Sequence, residues 1–252
     1  MIRGQQIASQ LHGRFNPSSD YEEDVCIYVI ATTPSVEPQC AYHDVMDCGM
    51  GRLRRIHKMR GPIISLSVEH RSAMRECFPG RSVFLIPQHH CNFKRERRPV
   101  DRPVRTVGVI GGDSAVQWPH YAMKKMMSDI GLEWRFSPYG RWRRTVRFYQ
   151  ELDIQVSFRP THARGIVRHM NPLKLSNAGS YGIPTVAYPE PAYIAEWNDE
   201  CLWASTISEL VAQVKRLKET PSLYADISGR AVAKAEGYHI ENIAQLYEQL
   251  PQ

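Results

Sequence analysis

Apolar residues along this chain fall into two periods. Val25 to Ala31, Ile63 to Ser67 and Val83 to Ile86 are short, β-branched, continuous runs, the first closed by Thr32-Thr33-Pro34-Ser35, and they read as buried strands. A helical segment from Arg71 to Cys77 separates the second run from the third, and strand, helix, strand at this spacing predicts a parallel sheet. Ahead of them, Gln5 to Leu11 predicts an amphipathic helix with Gly4 in a turn before it.

Asn92 to Arg105 breaks the pattern. It is dense in Lys and Arg, holds two prolines and has almost no apolar side chains, which is the composition of a linker. The expected domains are therefore 1–95 and 104–252.

The second half resumes with a strand, Thr106 to Ile110, running into Gly111-Gly112. Met123, Met126, Met127 and Ile130 keep the core-facing period of a helix that stops at Gly131, so these methionines read as packing rather than as a cofactor box. Strands are expected at Leu132–Phe136, Asp153–Phe158 and Ile183–Tyr188, with a helix from Pro172 to about Tyr181 between the last two. Thr206 and Glu209 have the spacing of a capping box for a helix carrying Ile207, Leu210, Val211 and Val214 on one face. A last helix carries Ile240, Ile243, Ala244, Tyr247 and Leu250. Alternating strands and helices in both halves predict an α/β protein.

Composition narrows the function classes. With 42% apolar and 23% charged residues in 252, extended disorder is excluded. No apolar run approaches the roughly 18–20 residues of a membrane span, and the N-terminus lacks the core of a secretory signal; a cytoplasmic location is expected. The six cysteines are scattered without a C-x-x-C pair and read as reduced thiols. His89-His90-Cys91 has no second cluster at zinc spacing, so it reads as structural and no metal is expected. The net charge of +6 and the wealth of Arg, whose planar fork suits phosphate, point to an anionic ligand or partner. Val109-Ile110-Gly111-Gly112-Asp113 is not a dinucleotide fingerprint, and no P-loop is present.

The densest chemistry lies in Asn171 to Pro191. Asn171 suits an N-cap, Pro172 the first helical position and Gly182 a left-handed stop, which predicts a short helix with backbone N–H groups at its open end. Lys174 falls in the first turn, where it opposes the helix dipole at a cost of up to about 1 kcal/mol. A bound phosphate would reverse that sign. Asn177 follows on the same face and could hydrogen-bond a sugar hydroxyl.

Pro172, Lys174, Leu175, Gly182 and Pro184 resemble the nucleotide-sugar segment of GT-B glycosyltransferases, particularly retaining enzymes of the family 4 type with a pattern like P-x-K-L-x-E-x-x-x-x-G-x-P. The resemblance extends over nearly the whole chain. Arg3 to Ala8 looks like the glycine turn and helix that open the first domain, and Phe78 to His90 like the strand and interdomain loop. Thr106 to Gly112 looks like the first strand and turn of the second domain, and the last helix like one that packs back toward the N-terminal domain.

The resemblance implies two Rossmann-like domains with parallel sheets facing a cleft, in an unusually small member. It implies transfer of a sugar from a nucleoside-diphosphate sugar, with retention and without a metal or further cofactor. The donor would be bound by Gly4, Gly112, Arg159, Arg164, Asn171, Leu173, Lys174, Leu175 and Asn177. Asn177 stands where the family carries a ribose-binding glutamate, which also leaves room for a non-catalytic nucleotide- or nucleic-acid-binding protein. Neither His43 nor His70 matches the family's first-domain histidine; both read as surface or turn residues, and no catalytic base is assigned.

Basic clusters at Arg52, Arg54, Arg55 and at Arg141, Arg143, Arg144, Arg147 suggest a polyanionic acceptor, such as a modified base in phage DNA. The second cluster interleaves Trp142, Phe148 and Tyr149, which suits stacking beside phosphates or one face of an ordinary helix equally well.

Overall fold

A computed structural model of the chain describes residues 2–21, 25–29, 40–45, 56–57, 60–99, 101–112, 115–116, 118–138, 140, 142–160 and 170–251. In chain order its elements begin α1 (Ile2–Gln10), β1 (Val25–Val29), β2 (Cys40–Asp44), β3 (Ile63–Ser65), α2 (Val68–Cys77) and β4 (Val83–Leu85). They continue with β5 (Thr106–Ile110), α3 (His120–Asp129), β6 (Glu133–Ser137), α4 (Trp142–Glu151), β7 (Ile154–Ser157) and α5 (Leu173–Ser180). The last are β8 (Thr185–Ala187), α6 (Pro191–Trp197), β9 (Leu202–Trp203), α7 (Ile207–Glu219), α8 (Pro221–Glu236) and α9 (Ile240–Glu248). Two compact units result: Met1–His89 with Ala163–Asn171 and Ile240–Gln252, and His90–His162 with Pro172–His239.

The first unit is a parallel sheet in the order β1-β2-β3-β4. Its core gathers Val45, Ile56, Ile63, Met74, Phe78 and Val83. Helix α2 begins at Val68, three residues before the expected Arg71, because the Ser67 hydroxyl accepts from His70 N at 3.0 Å and caps it. Strand β2 was not legible, since CAYHD carries two polar residues. His43 and Asp44 are nevertheless both fully buried, so His43 is not a surface residue, and neither is the buried His70, whose Nδ1 accepts from Leu66 N at 3.2 Å. Asp44 pairs with Arg3 at 2.8 Å and accepts from the Tyr247 hydroxyl at 2.7 Å. Through Tyr247, α9 is fastened into this unit. Gly4 lies inside α1 and not in a turn ahead of it; a Cβ there would meet Val29 Cγ2 at 3.2 Å, so its smallness lets the helix approach β1.

The second unit is a parallel sheet in the order β6-β5-β7-β8-β9. The register pairs Val107 with both Trp134 and Ile154, which places β5 between β6 and β7. Its largest core contains Val107, Val109, Met123, Met127, Ile154, Val156, Val186, Leu210, Val214 and Ile227, so the methionines of α3 are packing, as their period indicated. Strand β7 alternates cleanly: Ile154 and Val156 face this core, and by the two-residue period Gln155 and Ser157 face the other way. Helix α7 is capped by Thr206, whose hydroxyl accepts from Glu209 N at 3.2 Å, while Glu209 reaches back to Ser205 N at 2.8 Å.

The basic stretch after residue 92 is no solvated linker. It belongs to the second unit, where Asn92 Nδ2 donates to Ser180 O at 2.8 Å and Arg98 N to Tyr181 O at 2.9 Å. The Arg98 side chain is buried against Asp153 at 2.8 Å. Polar composition misled here because the arginines are consumed by two carboxylates, Asp153 for Arg98 and Arg102 and Glu236 for Arg95, and by backbone carbonyls such as that of Ser180, which Arg97 reaches. Helix α4 also resolves the ambiguity over the arginine-aromatic cluster. Phe148 and Tyr149 are buried with Trp142 packed beside them, whereas Arg143, Arg144 and Arg147 are exposed on the opposite side. The aromatics stack within the unit, Trp142 on Phe93 at 5.6 Å.

Candidate functional site

In a parallel sheet the loops after the strands share one edge, and a helix that leads into a strand starts at that same edge. The carboxyl edge of the second sheet therefore collects Gly111-Gly112 after β5, Arg159 after β7, Glu190 after β8 and the first turn of α5. The chain leaves β5 toward β6 on one side and β7 toward β8 on the other. Such a reversal leaves a crevice between the ends of the two strands. Gly111 N donates to Ser137 O at 3.0 Å, and Gly112 O accepts from Ala115 N at 2.8 Å, which folds this loop back. Val116 then bridges Phe158.

Helix α5 starts later than expected. Its N-cap is Pro172, without a side-chain cap, and Asn171 instead directs Nδ2 to Gln88 Oε1 at 3.4 Å within the first unit. A proline at the cap brings no side-chain oxygen of its own to the first-turn amides. Leu173 and Lys174 are half-buried in that turn, and every residue from Leu175 to Ser180 is buried. The far end stops as expected, with Gly182 at φ +72° and Ser228 Oγ donating to its carbonyl at 2.8 Å.

Asn177 turns inward. Its Oδ1 accepts from Cys91 N at 2.8 Å, and its side chain also bonds the Tyr149 hydroxyl. The amide is spent inside the unit rather than held out for a sugar. Leu175 is likewise core, packed with Tyr193 and Trp197. Burial pushes the neighbouring Cys91 thiol up to about 12, so it is no nucleophile at neutral pH.

Arg159 is 4% exposed and forked on Glu190, with Nε donating to Oε1 at 2.7 Å and Nη2 to Oε2. Nη2 also reaches the Tyr193 hydroxyl at 3.2 Å. Gln155 was missed by sequence reading. Fully buried, it receives the Tyr149 hydroxyl at 2.9 Å and donates to Lys174 O at 2.9 Å and Thr185 Oγ1 at 3.1 Å. Its one signal was a polar residue inside an otherwise alternating strand. Arg164 and the cations Arg52, Arg54, Arg55 and Arg141 lie outside the described residues. Arg143 and Arg144 belong to the exposed face of α4, and Gly4 to α1 of the first unit. The second unit thus groups Gly112, Arg159, Leu173 and Lys174 on one edge of its sheet and removes Leu175 and Asn177 into its interior.

No protein-family model matches the chain, and no curated protein sequence does. Solved structures match in fold. TarM of S. aureus is 15% identical with a TM-score of 0.58, the match covering 88% of this chain and 54% of that one. Sucrose-phosphate synthase from Thermosynechococcus elongatus is 14% identical with a TM-score of 0.59, covering 85% and 68%. HepE of Anabaena, in complex with UDP and glucose, is 14% identical with a TM-score of 0.57, covering 83% and 70%. The chain thus spans about half the length of TarM. With two units built on parallel sheets, its fold is that of the GT-B glycosyltransferases.

Proposed function

We propose that the second unit binds a nucleoside-diphosphate sugar and that the protein transfers the glycosyl group to an acceptor. The observation carrying this reading is the start of α5, where the first helical turn and Lys174 stand at the carboxyl edge of the sheet. Amide hydrogens and an ammonium group together match a diphosphate. Structures of the same fold, including HepE with UDP-glucose, hold uridine nucleotides. In the transfer, the bond between the anomeric carbon and the diphosphate oxygen breaks and its electron pair leaves with the diphosphate. The acceptor oxygen bonds that carbon and gives up its proton, which ends on the departing diphosphate or in the solvent. Fixed donors at the helix start are best placed to hold the charge that develops on the leaving oxygen.

Retention of configuration and independence from metal belong to the same reading. Lys174 and the helix start take the part a divalent cation would otherwise play, so turnover is expected to survive EDTA. For the acceptor, the net charge of +6 and the exposed Arg143, Arg144 and Arg147 favour a polyanion, DNA foremost; binding to duplex DNA should then fall steeply as salt rises. The cytoplasm is the proposed location, on the reading of the scattered cysteines as reduced thiols; no helix among the described residues is long and apolar enough to cross a membrane.

The test is a thermal-shift series with UDP-, GDP- and ADP-sugars, because a ligand of the native state raises the midpoint by mass action. Stabilisation by one of them, lost in Lys174→Ala, supports the reading; no stabilisation by any sinks it. A second reading, nucleotide binding without transfer, is favoured by the inward amide of Asn177 at the family's glutamate position. Release of free nucleotide from a stabilising sugar nucleotide separates the two.

A further inference from the structure

Strand β7 carries polar side chains on a buried face, and they divide into two sets. Ser157 meets the Tyr193 hydroxyl at 3.3 Å, on the side of α6. Gln155 serves α5. Its carboxamide has three partners in three elements: Tyr149 of α4, Thr185 of β8 and the main-chain carbonyl of Lys174. Tyr149 is itself held by Asn177, one turn further along the same helix. The amide cannot rotate without losing all three bonds, because Tyr149 fixes its oxygen and thereby aims its hydrogens.

We infer that Gln155 is a positioning residue for the donor site, and that through the Lys174 carbonyl it fixes the first turn of α5 at the height and rotation a diphosphate needs. The inference rests on the proposed donor-binding function. The N-cap residue of α5, Pro172, brings no side-chain cap. Its first turn is held from below by this bond, 2.9 Å from Nε2 to the carbonyl of the very residue whose ammonium is assigned to phosphate. A fully buried amide spent on a helix carbonyl has a packing role in any protein. A polar group at this depth must also meet three partners at once, where an apolar residue of similar volume would pack without that demand. The arrangement makes sense where the rotation of one turn matters, since small misplacements at a binding turn are costly.

Calorimetric titration of the full chain with UDP at 15 °C tests this. Gln155→Met keeps volume and removes the amide, and about a ten-fold weaker Kd is expected. Tyr149→Phe, which loses only a hydroxyl, should weaken binding by about three-fold even if Gln155→Met does not fold. Ser157→Ala, on the same buried face but serving α6, should stay within about two-fold of wild type. Combining Gln155→Met with Lys174→Ala should weaken binding by less than the product of the two single effects, since both act through one turn. Unchanged affinity in Gln155→Met or Tyr149→Phe, or effects that simply multiply, would overturn the inference while leaving the donor site standing. A wild-type chain that binds no nucleotide would remove the donor site itself, and the inference with it.

Discussion

Arg159 grips Glu190 through two parallel hydrogen bonds, one of them 2.7 Å from Nε to Oε1, and both side chains are almost wholly shielded from water. Sequence reading gave Arg159 to the phosphate, but a guanidinium already neutralised by a carboxylate offers little net charge to a second anion. Glu190→Gln should therefore destabilise the protein by about 3 kcal/mol, because it leaves a buried cation uncompensated. Chemical denaturation measures this. Arg159→Ala should likewise reduce stability more than UDP affinity, whereas Lys174→Ala should do the reverse. Equal losses of affinity in the two variants would restore Arg159 to the phosphate.

Gly179 is what lets α5 and α8 approach closely. A Cβ there would lie 2.9 Å from Ala231 O and 3.1 Å from the Trp197 ring, and neither the backbone carbonyl nor a buried indole can yield far. Gly179→Ala should cost about 1–3 kcal/mol as an overpacked core. Gly229, on α8 with open space around its Cβ position, should accept alanine with a small gain from helix propensity, up to about 1 kcal/mol. Thermal midpoints of the two variants should move in opposite directions.

How far these features could be read beforehand depended on what side chains do locally. Thr106–Ile110 was legible to the residue, because a β-branched run ending in two glycines has one reading. The stop of α5 at Gly182 was legible for a similar reason. Helix α8 was not anticipated, although Thr220-Pro221 is a fair start signal, because Gly229 and small residues blur its period. In the candidate site, Lys174 and the helix were visible as a motif. The inward turn of Asn177 was not, since whether an amide faces ligand or core is decided by Cys91, more than eighty positions away in sequence. Gln155 and Glu190 were hidden in the same way. Their partners lie on other elements, and a single chain pattern carries no record of them.

Asp153 organises the start of the second unit. Burial alone would raise its pKa, but hydrogen bonds from Arg105 N and Thr106 N and from the Arg98 and Arg102 side chains outweigh that and hold it below the usual carboxylate range. A depressed carboxylate contributes stability that is complete above its unfolded value and is lost as pH falls through the folded one. Asp153→Asn should therefore cost about 3–5 kcal/mol at pH 7, as expected for two guanidinium groups stripped of their partner. The gap to wild type should narrow as pH falls below about 4, where the unfolded chain's carboxylate takes up a proton that the native one still resists. A gap that stayed constant down to pH 3 would assign the loss to geometry rather than to charge.

His90 carries the opposite charge logic to the same acid limb. Burial first, and the nearby His239 second, push its pKa from 6.5 down to about 3. The ring is therefore neutral in the folded chain, with Nδ1 accepting from Asn92 N at 3.2 Å and the backbone N–H donating to Tyr238 O at 3.0 Å. The unfolded chain binds a proton on this ring below pH 6.5 and the folded chain does not, so folding is favoured at higher pH and the contribution drains as pH falls from 6.5 toward 3. Between pH 7 and pH 5 the loss should be on the order of 2 kcal/mol. His90→Gln keeps an acceptor but cannot take up a proton at these pH values. Its stability should be nearly flat over that interval, and urea midpoints at pH 7 and pH 5 for both proteins measure the difference. Parallel slopes would mean that another titrating group, and not His90, governs this part of the acid transition.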